Sequence, residues 1–254
     1  MFVEAGDWLK AATAAGVDAI GGVPATSDRP IDFLKLLFES AERSGLPLDL
    51  HLDEHLDPNS VLFDPLLEMT RAFGMQGRVI AGHCSALSAL DATQGARIAE
   101  GFAQTGIAVV TLPAANLFLQ GRQASRLTPR GLTRIRELIA AGVDVAAASD
   151  NIRDPFVPTG SGDLLEIARW TLLAAHLSLD DLGRAFEMVS LIPARMMGLA
   201  DSWGIHEGAR ADLLITGAKD ADDLVEGGAL ARIVMVGGEI VAPRTPPDLF
   251  TNYA

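Results

Sequence analysis

Five short apolar runs alternate with amphipathic stretches along the first 150 residues, and no other feature narrows the fold as much. The runs are residues 17–20, 48–51, 78–83, 107–112 and 143–150. The stretches that precede and separate them, residues 8–15, 31–44, 64–73, 87–104 and 131–141, repeat apolar side chains at helical spacing. Gly16 and Gly45 stop two of the helices, while Gly21-Gly22 reads as a strand-end turn and Pro113 ends the fourth run. Strand-helix units of this size imply a parallel sheet with right-handed crossovers. Such sheets deliver reactive side chains at the carboxyl ends of their strands.

The texture changes further on. Residues 164–177 and 179–188 read as helices, and after Leu199 two β runs follow, residues 205–215 and 231–241. The expected division is therefore a main domain over residues 1–198 and a small β appendage over residues 199–254. Residues 243–254 read as a loosely ordered end.

Composition excludes several function classes. Nearly half of the residues are apolar (49%) and 21% are charged, a mixture that supports a packed core. The net charge of −13, with no basic patch, argues against nucleic acid and against anionic membrane surfaces as partners. Cys84 is the only cysteine, so an internal disulfide and a thiolate metal cluster are excluded, as suits a reducing compartment. The first residues lack the basic start and apolar core of a signal peptide, and no uncharged apolar stretch is long enough to span a bilayer. A cytoplasmic location is expected.

Three of the five runs end in groups suited to metal-assisted chemistry: His51, His83 and Asp150. Glu54 lies just beyond the first. Imidazole and carboxylate bind zinc or ferrous iron, and a bound divalent ion makes water nucleophilic near neutral pH. A glutamate and a histidine beside that water can move its protons. His55, His176 and His206 read as lying outside the site. Cys84 reads as a small buried filler, and Asp220-Ala221-Asp222-Asp223 as a solvated turn.

The motifs His51-Leu52-Asp53-Glu54, Ala81-Gly82-His83, Asn116-Leu117-Phe118-Leu119-Gln120-Gly121-Arg122 and Ser149-Asp150-Asn151-Ile152-Arg153-Asp154-Pro155-Phe156 resemble, in this order, cytosine deaminase and its relatives in the amidohydrolase superfamily. Gly204-Ile205-His206-Glu207-Gly208-Ala209-Arg210-Ala211-Asp212-Leu213 is similar to that superfamily's C-terminal signature. The resemblance implies an α/β fold: a partial TIM-like (β/α) barrel of the metal-dependent hydrolase type, about strands 4 to 8, then a small C-terminal β-sandwich portion. It implies that His51 and Asp150 bind one divalent metal ion, zinc or iron. Glu54 would protonate the substrate ring nitrogen, His83 would orient the attacking water, and Asp150 would take the water proton. Phe156 would lie against the substrate ring, with Gln120 and Asn151 bordering the same pocket.

The reaction so implied is hydrolytic deamination of a small cyclic amidine by metal-bound hydroxide, in a homo-oligomer. Asn151 and Ser149 stand where cytosine deaminases carry an aspartate and a histidine, so a triazine or creatinine-type amidohydrolase is the alternative substrate class. The family's His-x-His metal ligands and its substrate-gripping glutamine have no counterpart in this sequence. The expectation is therefore a truncated chain, starting after the third barrel strand, with incomplete metal occupancy and weak or no activity by itself. A non-catalytic ligand-binding or structural remnant is the remaining alternative.

Overall fold

A computed structural model describes residues 2–126, 128–227 and 232–244. The expected rhythm appears as α1 (Phe2–Ala14), β1 (Ile20–Gly22), α2 (Pro30–Ser44), β2 (Leu48–Leu52), α3 (Phe63–Ala72), β3 (Val79–His83), α4 (Ala92–Thr105), β4 (Ala108–Thr111), α5 (Pro113–Leu119), α6 (Ile135–Ala140), β5 (Val145–Ala147) and α7 (Leu164–Ala174). The strands form one parallel sheet in sequence order, with Ile20 level with Leu48, Leu48 with Val79, Ile80 with Ala108, and Val109 with Val145. These elements belong to one compact unit, Met1–Leu177.

Side-chain alternation builds this sheet. Leu48, Leu50 and Leu52 are fully buried, and Asp49 and His51 between them are exposed, the period of a strand with two unlike faces. Phe38 from α2, Phe63 and Leu66 from α3 and Phe102 from α4 are also fully buried. Each such burial contributes about 1.5–3 kcal/mol. Helix ends follow local chemistry. Gly45 closes α2 in the left-handed region (φ 72°). Asp91 opens α4 with a reciprocal capping box, its carboxylate accepting from the Gln94 amide at 2.8 Å.

Several boundaries differ from the sequence reading, each for a local reason. The first strand lies at Ile20–Gly22 rather than 17–20, and Gly21 belongs to it because a Cβ there would sit 2.9 Å from the Asp49 carbonyl oxygen. The stretch 87–104 is not one helix: a 3-10 turn, Ser85–Ala89, precedes the Asp91 cap. Pro113 does not merely end a strand; it starts α5 at a position where a missing N–H is harmless. α6 begins at Ile135 rather than at 131, since Arg134 donates to the carbonyls of Leu87 and Leu90 and Thr133 to that of His83.

The second unit, Ser178–Ala254, holds α8 (Leu182–Glu187), α9 (Leu191–Met196), β6 (Leu213–Thr216), α10 (Ala221–Glu226), β7 (Arg232–Val236) and β8 (Glu239–Arg244). α9 was not expected. Of the run 205–215 only the end is strand, because Gly204 and Gly208 turn the chain at positive φ. The acidic run is a helix start rather than a bare turn: Asp220 accepts from the Asp223 amide at 2.8 Å and caps α10. Gly237 and Gly238, both at positive φ, join β7 and β8 in a hairpin, giving an antiparallel sheet in the order β6-β7-β8. Residues 245–254 of the expected loose end lie outside the described residues. Among the described residues no helix is long and apolar enough to cross a membrane.

Candidate active site

The site is built where β2, β3 and β5 end. Asp53, His83, Cys84 and Asp150 all have left-handed backbone, at φ 48°, 63°, 48° and 59°. Non-glycine residues adopt that region at a cost, and such strain gathers where a scaffold must aim particular side chains. Here it turns the chain sharply just as each strand delivers its functional group.

His83 is the hub. It is 1% exposed, and its Nε2 lies 3.0 Å from His51 Nδ1 and 3.8 Å from an Asp150 carboxylate oxygen. Its Nδ1 lies 2.9 Å from Asn116 Oδ1 and 3.7 Å from a Glu54 carboxylate oxygen. One ligand atom from each of His51, Glu54 and His83 falls within 4.8 Å of the other two, a spacing suited to a single small cation. Imidazole and carboxylate donors fit zinc or ferrous iron. The four residues singled out from strand ends are thus gathered into one cluster.

Burial sets the protonation of the cluster. It raises the Glu54 carboxyl above its ordinary value, and the Asp150 charge adds to this while His51 opposes it. Burial lowers His83 below the ordinary histidine value, against the Asn116 hydrogen bond and the Asp150 charge. Asp49, on the same sheet face as His51, is raised by burial with His51 opposing. The cluster therefore sets a carboxyl with a raised value beside an imidazole with a lowered one.

The residues expected to border the substrate have partners of their own. Gln120 donates from Nε2 to the Glu54 carbonyl at 3.2 Å and so holds that main chain. Asn151 donates to the Asp154 carboxylate, whose other oxygen accepts from the Phe156 and Val157 amides at 2.9 and 2.8 Å. Phe156 itself is 58% exposed. A cavity of about 420 Å³ lies beside this loop, lined by Leu117, Phe118, Asn151, Val157 and Trp170 among others, and by none of His51, Glu54 and His83.

Sequence reasoning gave no role to Asp53 or Thr133, and none to the Asn116 side chain beyond its place in a motif. Asp53 is fully buried, accepts from the Leu62 amide at 2.8 Å and faces His55 Nε2 at 3.6 Å. His55 thus stands beside a buried carboxylate. Asn116 and Thr133 grip the His83 ring and carbonyl. The only signal for Asp53 was its place inside the His51–Glu54 motif, and for Thr133 there was none. Cys84 is buried, and burial pushes its thiol well up, as suits a filler.

Comparison with known proteins now has a geometry to refer to. A pterin deaminase of Rhizobium rhizogenes (strain K84 / ATCC BAA-868) is 35% identical over 231 residues, 90% of this chain and 52% of that protein. An N-isopropylammelide isopropyl amidohydrolase of Pseudomonas sp. (strain ADP) is 28% identical over 203 residues, 79% of this chain and 47% of that protein. The chain spans about half the length of the curated relatives it matches. The crystal structure of 5-methylcytosine deaminase from Klebsiella pneumoniae, liganded with 5-fluorocytosine, superposes with a TM-score of 0.88 at 32% identity, covering 95% of this chain and 59% of that one. Since the amidohydrolase family also matches as a family over residues 8–242, the chain belongs to it, among the cytosine deaminase-like members of that superfamily.

Proposed function

We propose that this chain carries the C-terminal part of a metal-dependent hydrolase that deaminates a small cyclic amidine, a cytosine-like pyrimidine or a related heterocycle. The observation that carries the proposal is the convergence of His51, Glu54 and Asp150 on the two ring nitrogens of His83. In this reading residues 1–198 belong to a (β/α) barrel, as its strands 4 to 8, and residues 199–254 to a small β appendage.

His51 and Asp150 would hold the ion, zinc or iron. A divalent ion supplies Lewis acidity there and makes water a competent nucleophile near neutral pH. The chain's own groups do the rest. His83 would orient the attacking water through Nε2, the ring nitrogen that also meets His51 Nδ1, and Asp150 would take the water proton. Glu54, its carboxyl raised by burial, carries a proton to the ring nitrogen next to the carbon under attack. Water adds to that carbon, the proton held by Asp150 passes to the amino group, the C–N bond breaks as ammonia leaves, and the added hydroxyl returns its proton to Glu54 as a carbonyl forms. Phe156 stacks on the ring, with Gln120 and Asn151 at its border. Asn151 makes a triazine or creatinine-type ring the runner-up, and the pterin deaminase among the curated relatives adds a pterin to the rings worth testing.

A complete ligand set of the kind the family uses needs two further imidazoles, and we infer weak or no turnover from this polypeptide alone. Metal content and ammonia release from pyrimidines, pterins and triazines test the proposal on the 254-residue chain. Sub-stoichiometric metal that His51→Ala removes, with little ammonia, is the expected result. Full metal occupancy with rapid turnover would refute the inference of incompleteness. Ring binding with no metal at all would favour a non-catalytic remnant.

A further inference from the structure

His83 is held from two sides, at its ring and at its carbonyl. Thr133 Oγ1 donates to the His83 carbonyl at 2.7 Å and lies 2.9 Å from Thr111 Oγ1. A hydroxyl has one proton, and Thr133 uses its own on the carbonyl, so Thr111 is the donor in the second bond. Thr111, Thr133 and Asn116 are all buried. The ring is fixed by Asn116 Oδ1 at 2.9 Å from Nδ1, and a Glu54 carboxylate oxygen stands 3.7 Å from the same nitrogen. The Asn116 amide oxygen can only accept, so the imidazole proton sits on Nδ1, which leaves a lone pair on Nε2. That lone pair faces His51 Nδ1 at 3.0 Å, so His51 must carry its own proton on Nδ1.

We propose that Asn116 is a positioning residue that sets the tautomers of both histidines through a directed hydrogen-bond chain. The chain runs from His51 Nδ1–H to His83 Nε2, and from His83 Nδ1–H to Asn116 Oδ1. Its consequence is that His51 Nε2 is left unprotonated and free to bind a cation. The opposite direction would put a proton on His51 Nε2 and block that atom. Which nitrogen of a histidine can bind metal is set by the bond its other nitrogen makes, and here the instruction passes through a second imidazole. The consequence for the cation rests on the reading of His51 as a metal ligand; the tautomers do not.

The test separates the two. Two-bond ¹⁵N–¹H correlation spectra of the histidine-labelled, metal-free chain, taken at mildly alkaline pH and assigned with His51→Gln and His83→Gln, read the tautomers with no substrate and no metal. Nδ1–H on both histidines is expected. Asn116→Leu, which removes the acceptor, should shift both toward Nε2–H and weaken zinc binding about 10- to 100-fold, the usual cost of losing an outer-shell partner. Asn116→Asp keeps an acceptor oxygen and should keep both tautomers. Nε2–H on His83 in the unmodified chain, or an unchanged pattern in Asn116→Leu, overturns the proposal. If Asn116→Leu fails to fold, the unmodified chain and Asn116→Asp still decide it. Absence of zinc binding with the expected tautomers would fault the metal reading alone.

Discussion

The two faces of β2 differ by one residue in position and by everything in consequence. Leu48, Leu50 and Leu52 are fully buried, whereas Asp49 and His51 are exposed. The leucine face is where removal of apolar area from water stabilises the fold. The other face carries a carboxylate, whose ionised form the His51 charge favours, and an imidazole in contact with His83. Stability and chemistry thus share one five-residue strand and are kept apart by its period of two.

Replacement on the buried face should have the largest effect. Leu50→Ala is expected to destabilise the fold by about 2–5 kcal/mol, the usual range for a large-to-small core change, read as a lower urea midpoint. A loss under about 1 kcal/mol would break the contrast between the faces. Asp91→Ala, which removes the α4 capping box, should cost about 1 kcal/mol by the same measurement. The open face should tolerate change. Asp49→Asn is expected to leave stability within about 0.5 kcal/mol, as is usual at an exposed position. A clear destabilisation would show that the Asp49 charge has a structural partner.

The smallest effect is one of pH. The neighbouring Asp53 carboxylate raises His55 above its ordinary value, burial opposes this, and the Asp57 charge adds to the rise. A histidine raised in the folded state stabilises fully below its unfolded value of about 6.5, and the gain disappears as pH rises through the folded value. The Tm difference between the unmodified chain and His55→Gln should therefore shrink as pH rises from that point. His83, lowered by burial, has the opposite sign, so only the difference between the two proteins isolates His55.

Much of the fold could be read from residue order because it rests on local periodicity. The leucine alternation of β2, the helical spacing of α2 and α4, and Gly45 at a left-handed cap are each decided within one or two turns of chain. The strand-end residues His51, His83 and Asp150, with Glu54, were legible for the same reason, since a parallel sheet presents its strand ends together. The Gly21-Gly22 pair was misread because a close approach to a neighbouring strand calls for glycine as surely as a turn does.

What the sequence by itself determined is the inventory: which side chains reach the mouth of the sheet, and which apolar residues form its buried face. Only the tertiary structure decided how they engage. Asn116 meets His83 across 33 positions, Thr133 meets the same residue's carbonyl across 50, and Gln120 meets the Glu54 carbonyl across 66. Hydrogen bonds depend on distances of a few tenths of an ångström, and over such separations those distances are set by packing of the whole unit rather than by any local pattern.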